Sequence, residues 1–177
     1  HRGRWAAVTG RIEFIWTIAT DPLALPLVED LSREYDERYG LNDGVPSSYE
    51  LHRYPAELFS AGFGGAFLIV LCGGSAIAGG AFKRIDDDTV EIKRVWTHAD
   101  HRRQGLAKQV MTELEHEASL RGYRRVELTT GARQPEAVGL YLSIGYTPLF
   151  DLDGDLEEIG YLGFSKPLSL VGGVAVA

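Results

Sequence analysis

The sequence predicts an α/β domain, a mixed β-sheet of the α+β kind flanked by helices. Three observations lead there. Three apolar, strand-like stretches between Ala66 and Thr97 are separated only by tight turns, which is the pattern of an antiparallel meander. A long amphipathic stretch follows from Gln104 to Leu120, where Leu106, Val110, Leu114 and Ala118 step by four and Ala107 and Met111 widen the stripe. Strand, helix and strand patterns then alternate to the end of the chain.

Taken in order, Glu13 to Ala19 is apolar and rich in Ile, Trp and Thr, which suits a first strand. Asp21-Pro22 supplies an N-cap and a proline at the first helical position. Leu27, Val28, Leu31 and Tyr35 then recur at helical spacing, Pro26 is tolerated in the first turn, and Gly40 ends the helix. Asn42 to Ser48 reads as loop and Pro55 to Phe59 as a short helical turn. The meander strands are Ala66 to Leu71, Ala76 to Ile85 and Val90 to Thr97, turned by Gly73-Gly74-Ser75 and Asp86-Asp87-Asp88. Gly122 ends the long helix, and Arg125 to Thr130, Pro135 to Ser143 and Ile159 to Lys166 read as strand, helix and strand. With no internal repeat and no long linker, the expectation is one domain over 13–167, preceded by an extension at 1–12 and followed by a tail at 168–177.

Composition narrows the function. The 177 residues are 45% hydrophobic and 24% charged, ordinary values for a globular chain with a full core. A net charge of −7 argues against nucleic acid as the partner, because neutralising phosphates takes clustered Lys and Arg. A local basic patch nevertheless occurs at His101, Arg102, Arg103 and Lys108. The single cysteine, Cys72, can form neither an intrachain disulfide nor a zinc site. No apolar run approaches the ~20 residues that cross a bilayer, and no apolar leader with a cleavage site is visible. The expectations are therefore a cytoplasmic chain with no membrane partner. Scattered histidines (His52, His98, His116) lack metal-ligand spacing, and in the acidic run from Asp151 to Glu158 the glycine falls at the wrong position for an EF-hand and no Glu sits at position twelve, so no metal is expected.

The most informative stretch is Arg102-Arg103-Gln104-Gly105-Leu106-Ala107-Lys108, between a strand and the long helix. A helix start leaves backbone N–H groups without intrahelical partners and carries partial positive charge. Gly105 and Ala107 strip the turn of bulk, so a pyrophosphate can approach the backbone, while Arg102, Arg103 and Lys108 add charge. The residues alone leave a second reading open, a basic surface loop with a chance glycine. Neither the dinucleotide fingerprint G-x-G-x-x-G after an early strand nor the P-loop motif G-x-x-x-x-G-K-[ST] is present.

This element order, with R-x-x-G-x-G/A (here Arg102, Gly105 and Ala107) at a helix start, resembles the GNAT superfamily of N-acetyltransferases. Val90 to Thr97 is similar to that family's central strand. The run from Gln134 to Tyr146, with Tyr141 followed four residues later by Gly145-Tyr146, is similar to its closing helix. The close match covers Val90 to Leu149, and Gln134 stands where many relatives carry Asn.

The resemblance implies an acyl-CoA N-acyltransferase fold and acetyl-CoA as co-substrate, bound in a cleft where two parallel strands, Val90 to Thr97 and Arg125 to Thr130, splay apart. Backbone groups of Val95, Trp96 and Thr97 would pair with the pantetheine arm as an added strand. Amides from Arg103 through Gln104, Gly105, Leu106 and Ala107 to Lys108 would hold the pyrophosphate, with Arg102 and Gln134 beside it. It implies direct attack by an amine in a ternary complex, on a small-molecule or amino-acid-like acceptor. A protein lysine or N-terminal acetyltransferase and a non-catalytic acyl-CoA sensor stand as alternatives, and many relatives are homodimers. The attacking amine must be neutral, so a base is needed, and Glu91 matches a position some relatives use. The competing reading for Glu91 is an ion pair with Lys93 on one strand face. Tyr141 matches the tyrosine that protonates the departing thiolate in many relatives, against the alternative of a core tyrosine. Glu34, Tyr35, Arg38 and Tyr39 would border the acceptor, and the acidic run at 151–158 would attract a cation unless it is simply a solvated loop.

Overall fold

The computed structural model describes residues 11–42, 45–46 and 54–169. Chain order is β1 (Ile12–Thr17), α1 (Leu25–Tyr39), the two-residue strands β2 (Leu41–Asn42) and β3 (Val45–Pro46), β4 (Ala66–Cys72), β5 (Ser75–Arg84) and β6 (Thr89–Thr97). There follow α2 (Leu106–Leu120), β7 (Arg125–Gly131), α3 (Pro135–Ser143), β8 (Thr147–Pro148), α4 (Leu156–Ile159) and β9 (Tyr161–Pro167). Seven strands form one sheet in the order β1-β4-β5-β6-β7-β9-β8. Every neighbouring pair runs antiparallel except β6 and β7, which are parallel. That is the mixed sheet flanked by helices which the sequence predicts.

The sheet separates two apolar clusters, and β4 shows how. Its side chains alternate between faces, so Phe67, Ile69 and Leu71 join one cluster with Leu27 and Leu31 of α1. Leu68 and Val70 join the other with Val110, Met111 and Leu114 of α2. Both faces are covered, which is why β4 reads as an unbroken apolar run rather than an alternating one. Trp96 of β6 anchors α1 by donating its indole N–H to Asp30 Oδ2 at 3.1 Å.

Several boundaries differ from expectation for local reasons. β1 ends at Thr17, two residues before Ala19, because the Thr17 hydroxyl donates to the Asp21 carboxylate, which also accepts from Leu23 N at 2.9 Å. The proposed cap at Asp21 starts a 3-10 turn, Pro22–Ala24, and α1 begins only at Leu25. The long helix begins at Leu106 rather than Gln104, since Gly105 adopts a left-handed φ of 78°. The last strand starts at Tyr161 rather than Ile159. Leu156–Ile159 forms one helical turn, capped by Asp155, and Gly160 at φ 84° breaks it. The short strand β8, which pairs Thr147 and Pro148 with Ser165 and Phe164, carries too few residues for any periodicity to announce it. Within the loop expected over Asn42 to Ser48, Asn42 pairs with Val45; its remaining residues other than Pro46, and His52, lie outside the described residues.

Leu114 has no exposed surface and sits at the centre of the α2 cluster. Leu114→Ala should lower the unfolding free energy by about 2–5 kcal/mol, read as a drop in the urea midpoint at unchanged slope.

Candidate active site

The site begins with an interruption in the sheet. β6 and β7 pair only at Thr89–Arg125, Val90–Val126 and Glu91–Glu127, although both strands run on to Thr97 and Gly131. On the other side of β6 the register with β5 shifts between Gly79 and Ala81, opposite Trp96 and Lys93. Arg94 takes a left-handed φ of 60° there. An extra residue of this kind bends a strand and increases its twist. It also reverses the side-chain alternation: Ile92 and Val95 pack in the α2 cluster, while Trp96 packs with α1. The bent strand leaves β7, and a cleft of about 1440 Å³ opens between them.

One end of the cleft is the turn into α2. Arg103 (φ 61°) and Gly105 (φ 78°) both lie in the left-handed region, so successive amides there converge as an anion nest does. A Cβ at Gly105 would meet nothing within 4 Å, so backbone conformation rather than crowding selects glycine. Arg102 donates from Nε to Thr97 O at 3.3 Å and holds Nη2 3.9 Å from Glu34, which ties the turn to β6 and to α1. Arg102, Arg103, Gly105, Leu106, Ala107 and Lys108 all line the cleft. Gln104 does not; its side-chain oxygen is buried with no hydrogen-bond partner among the described residues.

The wall opposite is built by contacts between α1 and the β7–α3 loop. Tyr39 donates its hydroxyl to Gln134 Oε1 (3.3 Å) and accepts from Arg133 N (3.2 Å). Gln134 Oε1 also accepts from Thr130 Oγ1 and Gly131 N, each at 3.1 Å, so its amide oxygen serves the turn at the start of α3. A Cβ on Gly131 would fall 1.8 Å from the Tyr39 hydroxyl, so any side chain at that rung would have to displace the Tyr39 ring. Arg38 donates to Arg133 O (2.8 Å), pairs with Glu34 (3.0 Å) and contacts Glu136, while Arg133 returns a bond to Arg38 O (2.7 Å). Part of the acidic run is engaged locally: Asp151 accepts from Asp153 N, Asp155 caps α4, and Glu157 pairs with Arg133 at 3.1 Å.

Of the two candidate catalytic residues, Tyr141 lines the cleft and Glu91 lies outside its lining. Tyr141 is 7% exposed and stacks edgewise on Phe164 (5.5 Å) and, tilted, near Tyr146 (5.8 Å). Burial pushes its phenol well above the usual range, so it keeps its proton. Glu91 occupies the last paired rung before the strands part, 3.3 Å from Lys83 and 3.9 Å from Lys93, so the Glu91–Lys93 pair weighed from sequence is present. Val95, Trp96, Thr97, Gln134, Glu34, Tyr35 and Arg38 all line the cleft. Sequence reading missed Arg94, Arg133 and Glu136, and also the brace behind Tyr141. In that brace, Glu115 accepts from Tyr146 Oη and from Lys166 Nζ, each at 2.8 Å, and Lys166 also donates to Ile144 O. Only Arg94 carried a sequence signal, a charge on the alternation that otherwise holds Val90 and Ile92, and plain alternation places it on the wrong face.

Residues 27–146 match the model of the acetyltransferase (GNAT) family. The chain belongs to that family. It is 45% identical over 76 residues to an uncharacterized N-acetyltransferase, YsnE, of Bacillus subtilis; the match takes in 41% of this chain and 50% of that protein, so the chain spans about half the length of this relative. Among solved structures, an acetyltransferase from Streptococcus agalactiae is similar at a TM-score of 0.70 and 18% identity, covering 89% of this chain and 98% of that one. A GNAT phosphinothricin acetyltransferase from Sinorhizobium meliloti, in complex with acetyl-CoA, is similar at 0.59 and 16%, covering 93% and 96%. Both likenesses are of fold. Among the described residues no helix is long and apolar enough to cross a membrane, and no three His, Cys, Asp or Glu side chains gather as a metal site.

Gly131→Ala should force Tyr39 aside and cost about 1–3 kcal/mol of stability, measurable by denaturant unfolding. Loss of less than that would mean α1 can lift from the β7–α3 loop freely.

Proposed function

We propose that the chain is an acetyl-CoA-dependent N-acetyltransferase acting on a small-molecule or amino-acid-like amine by direct attack in a ternary complex. The observation that carries this reading is the cleft between the diverging ends of β6 and β7, which runs onto the nest at Arg103 and Gly105. That nest fits a diphosphate: its backbone is bare at Gly105, open space faces it, and Arg102, Arg103 and Lys108 flank it. When bound, acetyl-CoA would supply a thioester whose acyl carbon passes from sulfur to an amine nitrogen.

The amides from Arg103 to Lys108 would hold the diphosphate, with Arg102 and Lys108 as its side-chain cations. Backbone groups of Val95 and Trp96, on the side of β6 that β7 has left, would align the pantetheine arm as an added strand. The Thr97 carbonyl already accepts from Arg102, which supports an anchoring role for that arginine at the end of the strand. Glu91 would take the proton from the acceptor nitrogen through a water, because it occupies the last paired rung before the strands part and its side chain lies outside the cleft lining. Tyr141 Oη would donate a proton to the departing sulfur, and burial keeps that proton in place at neutral pH. Gln134 would support the site by fixing the turn that carries α3, where its amide oxygen is engaged, rather than by turning that oxygen to the cofactor. Helix α1, bound to the far wall through Arg38 and Tyr39, encloses the acceptor end, which supports a small acceptor over a folded protein.

Gly105→Val should weaken acetyl-CoA binding about tenfold or more by calorimetry, because a β-branched residue resists φ 78°. Binding at full strength would remove the nest from the cofactor site. Tyr141→Phe should retain acetyl-CoA binding and lower kcat roughly tenfold or more in a thiol-release assay. In the unaltered protein the raised phenol pKa implies no alkaline loss of kcat near pH ~10, where a free tyrosine would titrate. An alkaline limb there, abolished in Tyr141→Phe, would place Tyr141 in water instead.

A further inference from the structure

We infer that Tyr146 is a positioning residue for the transfer: anchored by Glu115, it fixes the direction in which the Tyr141 phenol meets the cleft. This deepens the proton-donor role proposed for Tyr141 and rests on it.

The device begins at the C-terminal end of α3. The Tyr146 amide donates to Tyr141 O at 3.0 Å, the Gly145 amide donates to Leu142 O at 3.3 Å, and Gly145 takes φ 95°. In this kind of helix ending, the residue after a left-handed glycine folds back onto the last turn, and its side chain packs there. Here that contact joins Tyr146 to Tyr141, with ring centroids 5.8 Å apart. The spacing Tyr141-x-x-x-Gly145-Tyr146 thus seats a second ring against the first. The other ring on Tyr141 is Phe164 of β9, fully buried and backed edgewise by Phe150 at 5.3 Å.

Tyr146 is in turn held by charge. Glu115 of α2 accepts from its hydroxyl on one carboxylate oxygen and from Lys166 Nζ on the other, each at 2.8 Å. Lys166 also donates to Ile144 O, the C-cap carbonyl of α3, at 2.8 Å. Burial, with the carboxylate beside it, pushes the Tyr146 phenol well above the usual range, so it keeps the proton it donates. The Glu115 and Lys166 side chains are only 15% and 25% exposed. A part-buried pair of this kind gains little over an apolar filling of the same space, because desolvation offsets the attraction. What it adds is direction: three bonds of defined geometry tie one ring to α2, to β9 and to the end of α3. The ring so fixed lies against the phenol that lines the cleft. A proton donor is effective only within hydrogen-bond reach of the atom it serves, so a small misalignment of Tyr141 lowers the rate without weakening cofactor binding.

The test reads the two tyrosines together. Thiol release from acetyl-CoA is followed on the full chain with hydroxylamine, a small nucleophile neutral at physiological pH, after subtraction of the rate without protein. Tyr146→Phe keeps the ring but loses the bond to Glu115. It should lower kcat roughly threefold or more, with KM for acetyl-CoA changed by less than about twofold. Glu115→Ala should do the same, while Glu115→Gln, which keeps an acceptor for the hydroxyl, should restore most of the rate. Adding Tyr146→Phe to Tyr141→Phe should cost nothing further, because the two act through one phenol. An unchanged kcat in Tyr146→Phe, an equal loss in the Tyr141→Phe background, or a loss matched by weaker CoA binding in calorimetry would overturn the inference. No protein-dependent release, or a full rate in Tyr141→Phe, would instead sink the donor reading. The anchoring is then judged by fluorine NMR on protein labelled with meta-fluorotyrosine. If the resonance missing from Tyr141→Phe moves or splits in Glu115→Ala, the anchoring stands without the donor role; an unmoved resonance would overturn both.

Discussion

The separation of two parallel strands governs this molecule. β6 and β7 share three rungs and then part, because one extra residue in β6 bends it away. Parallel neighbours inside a sheet ordinarily satisfy each other's amides and carbonyls, and giving up those bonds leaves backbone groups that something must meet. The surrounding structure makes the opening stable by covering it from both faces: α2 with its nest on one side, α1 on the other. The cleft is therefore not a defect between packed elements but the gap around which they are arranged.

Charge follows the same plan. The chain as a whole is acidic at −7, yet the cleft is walled by Lys93, Arg94, Arg102, Arg103 and Lys108. A local cationic channel in an acidic body focuses anionic ligands where they are needed and discourages nonspecific binding elsewhere. The carboxylates nearest the cleft, Glu34, Glu136 and Glu157, are engaged by Arg38, Arg102 and Arg133. These pairs are part-exposed and contribute little each to stability. Their importance lies in closing α1 against the β7–α3 loop, at the end of the cleft proposed to take the acceptor.

Behind the cleft, the Glu115–Tyr146–Lys166 brace holds the C-terminal end of α3 to α2 and β9. Its three side chains satisfy one another, as partly buried polar groups must. The Tyr141 ring packs between Tyr146 and Phe164, so the brace also fixes where that phenol stands. A phenol held this way would need no rearrangement to serve in the proton-donor role proposed for it.

Much of this was legible along the chain. The meander, the amphipathic α2, the Gly105 turn and the α3 helix from Pro135 to Ser143 all follow from periodicity and turn chemistry, which are local. So was the candidate nest, since helix starts and glycine act over a few residues. What tertiary structure alone decided is where alternation fails and who meets whom. The bulge at Arg94 reverses the face of every residue after it, and no two-residue period encodes such a slip. Nor does the sequence show that Gln134 Oε1 accepts from Tyr39, Thr130 and Gly131, or that Arg38 bonds to Arg133 O and contacts Glu136. Such partners lie as many as 95 residues apart and become neighbours only once the sheet has formed. Local chemistry thus specified the elements and the turn, while long-range packing specified the opening between strands and the hydrogen bonds that close around it.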